Sequence, residues 1–194
     1  MRTEAQTHSH RETTTFIALA MVLLVATFAC PLLARALSNP AINNQFLIGP
    51  IVNAALIIGA VRLRRVTYLL PIIFLPSVTA ISLNLIFAVG NQFMLMMIPA
   101  IWLGNSLLVI SFKLLHSKSF VAASVIGILA KAGIIFAVFN ILVVMGAIFG
   151  PAETAMWSVM GVNQLITATA GAAIAFGAIR LIPRKPVSIQ KESR

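Results

Sequence analysis

The chain has no aspartate and only four glutamates, Glu4, Glu12, Glu153 and Glu192, in 194 residues. A carboxylate pair for acid–base catalysis, or the oxygen-rich shell that a hard cation needs, has no residues to build it. The single cysteine, Cys30, excludes an internal disulfide and any cysteine-based metal cluster. Three histidines, His8, His10 and His116, form no His-Glu-x-x-His pattern, and there is no Gly-x-x-x-x-Gly-Lys-Ser/Thr phosphate loop. The sequence thus offers no means of hydrolysing ATP, no metal or cofactor set and no catalytic group, so the chain is not expected to be an enzyme. Carriers coupled to protons or sodium usually rely on buried acids, and none is expected to be buried here. Charged residues make up 9% of the chain, against roughly a quarter in a soluble domain, so lipid is the solvent for most of its length.

What is present is apolar: 60% of the residues are hydrophobic. A helix crosses a hydrocarbon core of roughly 30 Å with about 17–25 residues, and six stretches approach that length: Thr15–Leu37, Phe46–Val61, Thr67–Val89, Phe93–Phe112, Phe120–Met145 and Thr154–Ile182. The second is short and the last two are long, which predicts tilt. Pro71 and Pro76 interrupt the third, and a broken helix at membrane depth needs protein or a water-filled cavity to satisfy its freed carbonyls. The expected fold is an all-α integral membrane bundle of six transmembrane helices. Residues 1–14 form an N-terminal tail, 15–182 the membrane domain and 183–194 a basic C-terminal tail. The first apolar run is longer than a signal core and contains Pro31, so it reads as a retained span.

The net charge of +10 comes from basic residues placed singly or in short clusters at the ends of apolar runs, which suits anionic headgroups rather than nucleic acid. With six spans, Arg2, Arg11, Arg62, Arg64, Arg65, Lys113, Lys118, Arg180, Arg184, Lys185, Lys191 and Arg194 share one side, and Arg35 alone lies on the other. Positive charge is retained in the cytoplasm, so both termini are expected there, in a multi-pass protein of the cell membrane.

The amides follow the opposite bias. Asn39, Asn43, Asn44 and Gln45 fall in the first outer loop, Asn91 and Gln92 in the second, and Asn53, Asn84, Asn140, Asn163 and Gln164 in the outer halves of spans; Asn105, Gln6 and Gln190 fall elsewhere. An unbonded amide in hydrocarbon costs roughly 2–7 kcal/mol, so these side chains should face the bundle interior. Each alone is accounted for as glue between helices, but glue has no reason to choose a side, whereas a ligand pocket open to the outside does. Lys131 is the one ionisable residue near mid-membrane and has no intramembrane carboxylate to pair with. It must bind carbonyls or amides, lose its proton, snorkel, or meet a group from a ligand or partner. Glu153, after Gly150-Pro151, is read first as a helix N-terminal charge and second as a ligand contact. Small residues form two stripes, Ala18, Ala26, Cys30 and Ala34 in span one and Ala168, Gly171, Ala172, Ala175 and Ala178 in span six. Packing within the bundle fits both, and docking to another membrane subunit is the alternative for the first.

Three segments together resemble a known family. Asn44-Gln45 leads into Ile48-Gly49-Pro50-Ile51-Val52-Asn53-Ala54; Pro99 is followed by Gly104-Asn105 in span four; Asn163-Gln164-Leu165-Ile166-Thr167 opens the outer half of span six. The order and character of residues 15–182 are similar to the substrate-binding S component of energy-coupling factor (ECF) vitamin transporters. The resemblance implies capture of a vitamin or related micronutrient at the outer face, and partnership with a membrane-embedded T component and two cytoplasmic ATPases. It implies docking through an Ala-x-x-x-Ala pattern on the first helix, for which Ala26-x-x-x-Cys30 and Cys30-x-x-x-Ala34 are the nearest matches, since Val22 follows Ala18. The expected substrate-binding set is Asn44, Gln45, Asn53, Asn84, Asn91, Gln92, Lys131, Asn163 and Gln164, with the Pro-containing third span and its following loop as a lid. The competing reading is a structural or assembly subunit of a larger membrane complex, whose amides would be satisfied within the bundle around no cavity.

Overall fold

A computed structural model describes residues 13–25, 44–82 and 91–181. Among them there is no strand. The helices are α1 (Thr13–Val25), α2 (Asn44–Arg62), α3 (Val66–Ser82), α4 (Asn91–Leu115), α5 (Phe120–Val144), α6 (Pro151–Met160) and α7 (Val162–Leu181). Three stretches, Leu95–Leu115, Phe120–Val144 and Met156–Leu181, are long and apolar enough to cross a membrane. Thr13–Val25, Ile48–Arg62 and Val66–Val78 are shorter apolar helices.

α5 starts where Ser119 accepts a hydrogen bond from the Ala122 N–H, an N-cap that supplies one of the partners a helix start lacks. The third stretch, expected to be broken by its prolines, is a single helix that contains both Pro71 and Pro76. The sixth, expected as one long helix, is divided at Gly161 into α6 and α7. A Cβ at Gly161 would meet the Phe136 ring at 3.3 Å, so the break takes the residue without a side chain.

α2 packs chiefly on α7, and α4 on α5. Glycine sets both contacts. A Cβ at Gly171 would lie 2.5 Å from the Asn53 Cβ and 2.8 Å from the Pro50 carbonyl, and one at Gly49 would lie 2.8 Å from Thr167. The stripe of small residues in the last helix therefore serves packing inside the bundle: Ala168, Gly171, Ala172 and Ala175 are buried. In α1, Leu19 and Leu23 are buried in the core while Ala18 is exposed; Ala26, Cys30 and Ala34 lie outside the described residues.

The apolar core has two parts. One joins α1, α2, α3, α7 and the lower halves of α4 and α5 around Leu56, Leu63, Leu108 and Phe112. The other gathers Met97, Ile135, Phe139, Ile148, Met156 and Met160 around α4, α5 and α6. Basic residues collect at the end of the first part. Arg62 donates to the Ile179 carbonyl at 3.0 Å, Lys113 donates to the Leu63 carbonyl, and Arg180 covers the Phe176 ring at 4.1 Å. Cations there meet the unpaired carbonyls of helix C-termini.

Candidate functional site

A cavity of about 110 Å³ lies where the two parts of the core meet, in the half of the bundle away from the basic end. Six helices line it: Gln45, Ile48, Gly49, Val52 and Asn53 from α2, Pro76 and Ser77 from α3, Ile101 and Asn105 from α4, Lys131 from α5, Val159 and Met160 from α6, and Gln164 and Thr167 from α7. The accessible wall is mostly apolar, with seven polar side chains among the fourteen lining residues, and apolar walls with placed polar groups are the usual character of a small-molecule site.

Lys131 is 4% exposed, and its Nζ donates to the Asn53 Oδ1 at 2.5 Å. Asn53 is held in turn: its Nδ2 donates to the Gly49 carbonyl at 2.9 Å, and its Cβ is wedged against Gly171. These bonds fix the orientation of the amide, which presents its carbonyl to the ammonium. Among the described residues, no Asp, Glu, His or Cys lines the cavity, and Lys131 is its one ionisable group.

Asn105 also lines the cavity, on a helix that lies close to that of Lys131: a Cβ built on Gly104 would lie 3.1 Å from the Lys131 carbonyl. Its Nδ2 donates to the Ile73 carbonyl at 3.3 Å, next to the Ile72 carbonyl that Pro76 deprives of a helical N–H partner. The Asn105 Oδ1 is buried and has no partner among the described residues. The other such atom, Trp102 Nε1, belongs to a ring packed against Phe74 and does not line the cavity.

The cavity's far rim is built by the break at Gly161. In a continuous helix the Val159 carbonyl would accept from Asn163 N; here it accepts from Gln45 Nε2 at 2.9 Å and Gln164 Nε2 at 3.2 Å. Asn163 Nδ2 donates to Gln45 Oε1 at 3.1 Å, and Thr167 Oγ1 donates to the Asn163 carbonyl at 2.7 Å. The amides of Gln45, Asn163 and Gln164 thus staple the first turn of α2 to α7 and to the end of α6.

Of the nine residues expected to bind substrate, Gln45, Asn53, Lys131 and Gln164 line the cavity and Asn163 is buried beside it. Asn44 opens α2, and Asn91 and Gln92 open α4; their side chains, and the whole of Asn84, lie outside the described residues. Asn140 turns to its own helix, donating to the Phe136 carbonyl at 2.7 Å, and Glu153 sits in the first turn of α6, the position of a helix N-terminal charge. Sequence reasoning missed Asn105, Ser77 and Thr167 as members of the site. An amide inside a 25-residue apolar helix is itself a signal, but Asn105 was set apart because it falls deeper than the other amides. Comparison with protein families, with curated proteins and with solved structures finds no match.

Proposed function

We propose that the chain is the membrane-embedded substrate-binding component of an ECF-type uptake transporter, which captures a vitamin or related small micronutrient. In this reading six spans place both termini and the basic end in the cytoplasm, the cavity opens toward the outside, and a T component with two cytoplasmic ATPases drives import. The observation that carries it is the cavity lined by Lys131 and by Asn105, whose buried Oδ1 has no partner among the described residues. An orphaned buried amide oxygen costs about 1–3 kcal/mol, and a bound donor recovers that. The amide-rich half of the bundle, read from the sequence as the outer one, is also the half that holds the cavity.

A second reading, a structural subunit without its own ligand, draws on Gln45, Asn163 and Gln164, which satisfy one another and the Val159 carbonyl without help. Native mass spectrometry of the protein purified with its partners separates the two. The transporter reading expects one small molecule per chain and co-purifying ATPases; a ligand-free protein bound only to other membrane subunits would favour the second.

A further inference from the structure

We infer that the cavity takes a small organic monoanion: a carboxylate with an N–H or O–H donor near its charged end, on a compact apolar body. This rests on reading the chain as a binding component and adds the chemistry of what is bound.

The charge follows from Lys131. An ammonium has three N–H donors, and among the described residues its one hydrogen-bond partner is the neutral carbonyl of Asn53. Among the described residues no acid lines the cavity: Glu153, the one acid among them, is on α6 and outside the lining. A buried cation without a counter-charge is strongly disfavoured, whereas a carboxylate within reach supplies both the charge and acceptors for the remaining N–H groups. One cation matches one negative charge, so a dianion such as a phosphate ester would bring in a second, uncompensated charge.

The donor follows from Asn105. Its Nδ2 is committed to the Ile73 carbonyl, and its buried Oδ1 has no partner among the described residues, so a donor on a ligand in the cavity that Asn105 lines would satisfy that acceptor. The body follows from the walls: Ile48, Val52, Ile101 and Met160 offer apolar surface and nothing to bond. The volume of about 110 Å³ is somewhat below the roughly 150 Å³ of a cavity that holds benzene, so the enclosed part of the ligand is a single small ring or a short branched chain.

Three probes of nearly equal size test this on the purified full-length protein by isothermal titration calorimetry: pyrrole-2-carboxylate, its neutral amide pyrrole-2-carboxamide, and 2-furoate, which keeps the charge and lacks the N–H. The pyrrole carboxylate is expected to bind at least about tenfold more tightly than the amide, and about three- to tenfold more tightly than 2-furoate. Lys131→Met should erase the preference for carboxylate over amide. Asn105→Leu should erase the preference for pyrrole over furan and leave the charge preference in place, whereas a purely structural role for either residue would weaken all three probes alike. Equal or tighter binding of the amide, or failure of all three together with a neutral or cationic molecule released from the native protein, would overturn the inference. ATPase co-purification reads the transporter assignment separately: ATPases with a neutral ligand would sink only the monoanion, and a bound acid without ATPases would sink only the transporter.

Discussion

At the scale of single residues, the site depends on a glycine more than on any polar group. Gly171 has no room for a methyl, and the atom that such a methyl would strike is the Cβ of Asn53, which holds Lys131. Gly171→Ala is therefore expected to force α2 away from α7 and to cost about 1–3 kcal/mol, read as a lowered thermal midpoint in detergent. Gly177 lies in the same helix with nothing within 4 Å of a built Cβ. Gly177→Ala should leave the midpoint unchanged or raise it, because alanine is the better helix former by up to about 1 kcal/mol. Equal losses at both positions would show that the close approach of the two helices is not what Gly171 provides. Lys131 was legible as an unusual residue because a cation inside an apolar run has no bland account. Its partner was not, because Asn53 lies 78 residues away in sequence and no local pattern joins the two.

At the scale of elements, apolar length and terminal charge gave most helices to within a few residues. The fifth was read as Phe120–Met145 and forms Phe120–Val144, since Ser119 and Lys118 mark its start and Gly146 follows its end. The division of the last stretch was not legible. A lone glycine in an apolar run is normally carried within a helix, and what turns Gly161 into a break is the Phe136 ring packed upon it, together with two glutamines that satisfy the opened backbone. The same fact revises the amides: side chains that looked like ligand contacts are partly spent on the Val159 carbonyl. Gln45→Leu and Gln164→Leu should each cost about 1 kcal/mol. The double variant should cost more than their sum, because only then is that carbonyl left with neither side-chain donor. Strict additivity in thermal unfolding would argue that the two glutamines do not share one acceptor.

For the whole molecule, the alternation of helices gathers Arg62, Lys113 and Arg180 at one end and leaves the cavity in the opposite half. With the proposed orientation, two exposed positions on opposite ends should label from opposite sides. In a Cys30→Ser background, Thr154→Cys is expected to react with a membrane-impermeant maleimide on intact cells, and Ser117→Cys only after the cells are opened. The reverse pattern would turn the cavity toward the cytoplasm and remove the uptake reading. Apolar length, a property of each segment, made the three long helices legible. The cavity was not legible, because it exists only between helices and its key atoms come from α2, α4 and α5 together.

The division at Gly161 also settles what α6 has to do. The 20 residues of α7 rise about 30 Å at 1.5 Å each, which is already the thickness of an acyl-chain layer. If α7 alone makes the crossing, the ten residues of α6 are not needed for it. In the proposed orientation its half-exposed Trp157 would fall at the depth where indole rings favour the boundary between headgroups and hydrocarbon. Val159 and Met160, two and three residues further on, form the rim of the cavity. In the proposed orientation, a solute would reach that rim from the aqueous phase without crossing lipid.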